Sequence, residues 1–242
     1  MSRVILVTGG NAGIGFELVR LLAEKGHIVY LGARNPAAGE EAAKSLQDEG
    51  HKNVRFVHLD VTQKSTIDAA KTKIEQEEGK LDTLVNNAGI SRMDAVQDAL
   101  TVPTAVLRDT METNFFGLIE TTQAFIPLLR KSKLSVITNV STRMGCSSWL
   151  GSPEGSYHQW VAYNTSKAAM NSYTIALAHE LKNDKIKVNA VTPGFTSTKL
   201  NFFSPGGRTM REGASSILPL AILEEEGPSG KFFDFDGTEA SW

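Results

Sequence analysis

Tyr163 and Lys167 stand four residues apart in Ala162–Lys182, a stretch with helical character, so both side chains project from one face. A free tyrosine titrates at about 10 and is a poor acid or base at neutral pH. An ammonium a few ångströms away would stabilise the phenolate and lower that value, which makes Tyr163 a candidate proton donor to a carbonyl oxygen. In the reverse direction it would take the proton of an alcohol. Ser141 and Thr142 close the run Asn139–Thr142, and either hydroxyl could hydrogen-bond a substrate oxygen and steady developing charge. Near the start of the chain, Thr8 precedes Gly9-x3-Gly13-x-Gly15, between a strand-like run and a helical one. Strand, glycine-rich turn and helix in that order make an anion site, because free backbone N–H groups and the helix dipole converge there.

The elements that must hold these residues alternate along the chain. Strand candidates are Arg3–Thr8, His27–Ala33, Val54–Leu59, Thr83–Asn86, Leu134–Val140 and Ile186–Val191, each short, β-branched or Leu-rich, and bounded by turn formers. Helical patterns fill Gly13–Lys25, Pro36–Glu49, Gln63–Glu78, Val106–Lys131 and Ala162–Lys182; in the first, Ile14, Leu18, Leu21 and Leu22 recur at helical spacing. The alternation predicts an α/β chain with a single Rossmann-type doubly wound parallel sheet and helices on both faces. One domain over residues 1–242 is the expectation, with 146–160 and 195–213 as long loops on the substrate side.

Composition narrows the function. The 242 residues are 41% hydrophobic and 21% charged, the usage of a globular chain rather than a disordered one. Lys and Arg number 25 against 27 Asp and Glu, with no basic run to bind nucleic acid or an anionic membrane. A single cysteine, Cys146, and five scattered histidines leave no metal-site spacing. No apolar run reaches membrane-helix length, and the strand-like RVILVT from Arg3 leaves no room for a signal peptide, so a cytoplasmic location is expected.

Taken together, the motifs resemble the short-chain dehydrogenase/reductase family. Thr8-Gly9-x3-Gly13-x-Gly15 matches its TGxxxGxG turn, Asn86-Asn87-Ala88-Gly89 its NNAG motif, Tyr163-x3-Lys167 its YxxxK motif, and Pro193-Gly194 its PG turn, all in the family's order. The resemblance implies a nicotinamide cofactor held by Thr8, Gly9, Asn11, Gly13, Ile14 and Gly15. Asp60 and Val61 would lie at the adenine ring, although a helix N-cap region explains Asp60 equally well. Asn87, Ala88 and Gly89 would pass beneath the adenosine and pyrophosphate, with Pro193, Gly194, Thr196 and Thr198 beyond the sixth strand. It further implies that Lys167 holds the nicotinamide ribose and that Asn114 relays a water chain to that lysine. Alignment on the family's glycine puts Thr142 at the catalytic hydroxyl position, with Ser141 one residue before.

Where an acid would select NAD at the end of the second strand, this chain has Ala33 followed by Arg34. A guanidinium can grip the 2′-phosphate of NADP(H) bidentately, and NADP(H) is therefore the expected cofactor. A basic residue in the glycine turn, found in some NADP-using relatives, is missing. The region around Tyr163 and the tail to Trp242 are most like the carbonyl reductase subgroup. Thr142 and Tyr163 are 21 positions apart, longer than in the family's shortest members. The added segment brings Trp149 and Trp160 near the expected pocket, and with Phe195 and Phe202 they suit an apolar or aromatic carbonyl. The reading is an NADP(H)-dependent oxidoreductase of a small-molecule carbonyl or alcohol, with a monomer implied by the same segment. The alternatives are an NAD-dependent alcohol dehydrogenase and a non-catalytic dinucleotide sensor.

Overall fold

The computed structural model describes residues 2–242. Eight strands form one sheet in the order β3-β2-β1-β4-β5-β6-β7-β8. They are β1 Val4–Thr8, β2 Ile28–Ala33, β3 Val54–His58, β4 Thr83–Asn86, β5 Ser135–Val140, β6 Ile186–Val191, β7 Phe232–Phe233 and β8 Glu239–Ala240. All pairings are parallel except β7 with β8. Every residue of β1, β4 and β5 is buried, as a sheet covered on both faces requires.

Helices α1 (Gly13–Glu24) and α2 (Pro36–Asp48) pack on one face with α8 (Met210–Ala221) around Leu18, Leu22, Leu46 and Ile217. On the other face α3 (Lys64–Glu78), α5 (Gly117–Leu129) and α7 (Val161–Glu180) close over Leu6, Leu84, Ile137 and Phe125. The two remaining helices are α4 (Thr104–Met111) and the single turn α6 (Ser147–Leu150). Strand order reverses between β1 and β4, so the chain leaves their C-terminal ends in opposite directions and opens a crevice there. The glycine turn, the Asn86–Gly89 motif and the Pro193-Gly194 turn each begin at the C-terminal end of a strand, while Tyr163 and Lys167 lie in the first turns of α7.

The six expected strands and the doubly wound order agree with the structure to within a residue or two at the ends. Three expectations need correction. The helix Val106–Lys131 is two helices joined by a π turn, Glu112–Phe116, that carries Asn114. Pattern alone misses this because one extra residue per turn barely disturbs the apolar spacing. The stretch 195–213 is not all loop: α8 begins at Met210, capped by Thr209, whose Oγ1 accepts from the Glu212 N–H while the Glu212 carboxylate accepts from Thr209. Residues 146–160 likewise contain α6, and the tail adds the β7–β8 hairpin, too short to register as a strand pattern.

Phe125 is fully buried between α5 and the sheet, away from every strand-end motif. Phe125→Ala should lower unfolding stability by about 3–5 kcal/mol in urea titration, the cost of a large core cavity. A change below about 1 kcal/mol would show that this layer repacks freely.

Candidate active site

Backbone geometry builds the anion cradle. Gly9 has φ +63°, and a side chain there would meet the Ala88 backbone at 3.0 Å. A Cβ at Gly15 would stand 2.4 Å from both the Gly9 carbonyl and Asn87 Nδ2. Only glycine lets α1 start this close to the turn. The α1 N-terminus has Ala12 as its cap residue, no side-chain capping bond and no acid in its first turn. Its leading N–H groups are thus left for an external acceptor, and the diphosphate of a dinucleotide fits that need. Gly13 faces open space apart from Thr198 Cγ2 at 4.0 Å.

Thr8 and Asn87 lock this turn to β4. Thr8 Oγ1 accepts from the N–H groups of Asn87 and Ala88 at 3.0 Å each, and Asn87 Nδ2 donates to the Thr8 and Gly9 carbonyls at 2.9 and 3.2 Å. The Asn87 side chain therefore braces the cradle rather than lining it. Ile14 is half-buried against the core beside Gly213.

On α7, Tyr163 and Lys167 are both buried, with Lys167 Nζ 6.0 Å from the tyrosine ring centroid. Nζ donates to the Val140 carbonyl at 2.8 Å, at the end of β5. Burial pushes the Tyr163 phenol up to about 12 and the lysine down to about 8. The expectation that Lys167 lowers the tyrosine is thus not met in this state. Desolvation is the cause of the upward shift of the phenol.

The structure separates the two candidate hydroxyls. Ser141 is buried and donates to Asn171 Oδ1 at 2.6 Å, deep under α7. Thr142 is half-buried at the head of the single 3₁₀ turn Arg143–Gly145, and its Oγ1 accepts only a long 3.3 Å bond from the Met144 N–H. Asn114, in the π turn, is saturated by the protein: Oδ1 accepts from the Ile90 N–H, and Nδ2 donates to the Ile90 carbonyl and Ser166 Oγ. It clamps the loop after β4 onto α7.

At the other end of the crevice, a cleft of about 480 Å³ is lined by Arg34, Thr62, Gln63, Ile90 and Arg92 among others. Arg34 is exposed, and among the described residues its guanidinium pairs with no carboxylate. Arg92 is held by Asp94 and Asp109. Asp60 Oδ1 accepts from the Thr62 N–H and hydroxyl, so it shapes the turn before α3, while Val61 is buried against Gly117.

Beyond β6, Thr196 Oγ1 turns back to the Pro193 and Gly194 carbonyls, and Thr198 caps a short turn with Asn201. Phe195 and Phe202 are exposed, with the Phe202 backbone at φ +53°. Trp160 caps α7 and is half-buried. Trp149 packs instead against Cys146, Phe232 and Trp242, on the C-terminal hairpin.

Residues 3–204 match the family model for short chain dehydrogenase. The chain belongs to the short-chain dehydrogenase family. It is 30% identical to (+)-neomenthol dehydrogenase of Capsicum annuum, with 96% of this chain and 95% of that protein covered. The structure of salutaridine reductase from Papaver somniferum superposes with a TM-score of 0.84 at 30% identity, over 95% of this chain and 99% of that one. The NADPH-bound carbonyl reductase from chicken fatty liver gives 0.86 at 28% identity, over 100% and 99%. This short-chain dehydrogenase is an oxidoreductase of the carbonyl/alcohol class and is carbonyl reductase-like. Among the described residues no helix is long and apolar enough to cross a membrane.

Two buried residues that hold the dehydrogenase site together were not singled out in the sequence. Gln97 donates to the Ser91 and Arg92 carbonyls and accepts from the Tyr163 N–H at 3.2 Å, tying the loop after β4 to the start of α7. Ser91 donates to the Leu200 carbonyl at 2.6 Å, joining that loop to the segment after β6. A lone Gln or Ser in an irregular stretch carries no periodic signal, and only long-range contacts reveal it.

The shifted lysine has a measurable sign. Unfolded Lys167 titrates near 10.5 and the folded residue near 8. Between those values the folded protein binds fewer protons than the unfolded chain, so this group's contribution rises with pH, by up to about 1.4 kcal/mol per unit. Tyr163, raised from 10.0 to about 12, acts in the opposite direction only above 10. Urea midpoints of the parent and Lys167→Met should therefore diverge in the parent's favour from pH 8 to 10. A constant difference would show that Nζ is not desolvated.

Proposed function

We propose that the protein reduces an apolar or aromatic ketone or aldehyde with NADPH, and catalyses the reverse oxidation, as a cytoplasmic monomer. The observation that carries this reading is the buried Tyr163 one helical turn from Lys167, whose Nζ lies 6.0 Å from the phenol ring, with a Thr142 hydroxyl at the end of β5 that has only the 3.3 Å bond from the Met144 N–H. NADPH, when bound, supplies the hydride to the carbonyl carbon. Tyr163 donates its proton to the carbonyl oxygen, and the Thr142 hydroxyl hydrogen-bonds that oxygen and orients it. Ser141, already spent on Asn171, supports the turn. Lys167 holds the ribose hydroxyls, and its charge favours the phenolate as it forms. Asn114 keeps the loop after β4 against α7.

For the cofactor, backbone groups of Gly9, Asn11, Gly13, Ile14 and Gly15 would hold the diphosphate, and the exposed Arg34 guanidinium suits a 2′-phosphate. Asp60 and Val61 bound the adenine side, and Asn87, Ala88 and Gly89 form the floor that Thr8 supports. Pro193, Gly194, Thr196 and Thr198 form the rim at the nicotinamide end. The exposed rings of Phe195 and Phe202, with Trp160 and Trp149, favour an apolar or aromatic substrate. The monomer reading rests on the 146–160 segment, which Asn164 fastens over the start of α7 through the Tyr157 carbonyl. A non-catalytic sensor would leave the Tyr163–Lys167 pair without a task.

A panel of ketones, aldehydes and quinones with NADPH, followed by absorbance, tests the activity. Tyr163→Phe should reduce turnover by about 10²–10⁴-fold, the worth of a general acid, with NADPH binding little changed. Thr142→Val should cost more than Ser141→Ala. The reverse order would move the catalytic hydroxyl to Ser141, and a Tyr163→Phe enzyme within a few-fold of the parent would remove Tyr163 from the chemistry.

Arg34 sets the cofactor. A bidentate guanidinium–phosphate contact contributes about 1.5–3 kcal/mol, so Arg34→Ala should weaken NADPH by about ten- to a hundredfold and leave NADH nearly unchanged. Adding Ala33→Asp should turn the preference towards NADH. Equal weakening of both cofactors, or a parent that prefers NADH, would reassign the enzyme to NAD.

A further inference from the structure

The residue after Thr142 is Arg143, and its guanidinium pairs across the substrate side with the carboxylate of Asp234 in the C-terminal hairpin. The two partners differ in exposure: 47% for the Arg143 side chain and 2% for Asp234. A carboxylate this far from water needs compensating donors. Asp234 has the guanidinium on one oxygen and the Phe235 N–H, 2.8 Å away, on the other. Its own N–H donates to the Thr238 carbonyl at 2.8 Å and closes the hairpin.

Two separate turns are tied to this corner of the hairpin, one through the Asp234 carboxylate and one through the ring of Phe235, whose N–H that carboxylate accepts. The turn after Thr142 is anchored at its far end, where Asn171 Nδ2 donates to the Gly145 carbonyl at 3.1 Å. At its near end the Thr142 carbonyl accepts from the Gly145 N–H at 3.0 Å, but the Thr142 hydroxyl has only the 3.3 Å Met144 bond, and the Arg143 side chain is held by Asp234. On the other side, the Phe235 ring lies against Gly194, where a Cβ would come within 3.0 Å of it. Arg208 stacks on that ring at 4.9 Å and donates to the Pro193 carbonyl at 2.7 Å.

We propose that Asp234 is a positioning residue for the reaction: through Arg143 it fixes where the Thr142 hydroxyl points, and through Phe235 it fixes the Pro193–Phe195 turn opposite. The proposal rests on Thr142 as the hydroxyl that meets the substrate oxygen. The hairpin is thus a brace that holds two separate turns at a set spacing. Asp234 touches neither substrate nor cofactor in this scheme, so its loss should appear in turnover and not in NADPH affinity.

The test uses the full chain and a double-mutant cycle. Asp234→Asn keeps an acceptor for the Phe235 N–H and deletes the charge; Arg143→Gln deletes the partner at a half-open site and serves if Asp234→Asn folds poorly. Each should lower kcat about tenfold, with NADPH affinity by fluorescence within about twofold of the parent. Arg143→Lys should recover part of the loss. In a Thr142→Val background neither change should cost anything further, and hydrogen exchange across residues 142–146 should accelerate in both single variants. Thr142→Val as active as the parent would refute the assignment of the hydroxyl, and the positioning with it. A Thr142 effect that persists, with additive losses from Asp234→Asn and Arg143→Gln, would refute the positioning alone, as would folded single variants with parental kcat.

Discussion

Everything at the C-terminal edge of the sheet depends on the latch between Thr8 and Asn87. One hydroxyl oxygen accepts two backbone N–H groups from the start of the Asn87–Gly89 turn, and one amide returns two bonds to the carbonyls of the glycine turn. These groups lie at the point where strand order reverses, so no ladder partner could satisfy them. Without the latch, two turns would each carry unpaired polar backbone into a half-buried crevice, at about 1–3 kcal/mol per group. With it, the α1 N-terminus and the loop after β4 become one rigid edge.

From that edge the buried polar groups continue across the sheet towards α7, the helix that carries Tyr163 and Lys167. Asn86 Nδ2 donates to Asn139 Oδ1 and Thr122 Oγ1, and Asn139 Nδ2 donates to Thr174 on α7. Ser166, on the same helix as Tyr163 and Lys167, accepts from Asn114. Every link is satisfied, so the network orients side chains without a desolvation deficit. The site consequently holds two titratable groups almost free of water, and desolvation rather than pairing sets their protonation. The phenol stays protonated and the ammonium is weakened but still charged at neutral pH.

The substrate side is built by different means. Its walls come from segments distant in the chain, fastened by single contacts: Ser91 to Leu200, Gln97 to Tyr163, Asn164 to Tyr157 and Arg143 to Asp234. Exposed aromatic rings on the segment after β6 leave that wall apolar. Saturated polar links thus underlie α7, while the segments above it are held by a few tethers.

Periodicity and turn chemistry by themselves determined the six central strands, four of the long helices, the placement of Gly9, Gly13 and Gly15 between the first strand and its helix, and that of Tyr163 and Lys167 on one helix. Those are local consequences of spacing, since a buried parallel strand and a glycine-rich turn leave marks within ten residues. Tertiary structure decided what spacing could not. Asn87 proved a brace because its partners are some 80 residues away, at Thr8 and Gly9. Ser141 and Thr142 are adjacent hydroxyls with equal credentials in the chain, and only the position of Asn171 on the buried face of α7 occupies one and leaves the other free. The π turn at Asn114 and the hairpin at Asp234 are likewise invisible locally, one because a single inserted residue hides in a helical pattern, the other because two-residue strands exist only through the β6 edge they join. The direction of the Tyr163 shift belongs here too: a four-residue spacing places an ammonium nearby, but how much water remains around the phenol is a property of the packed core alone.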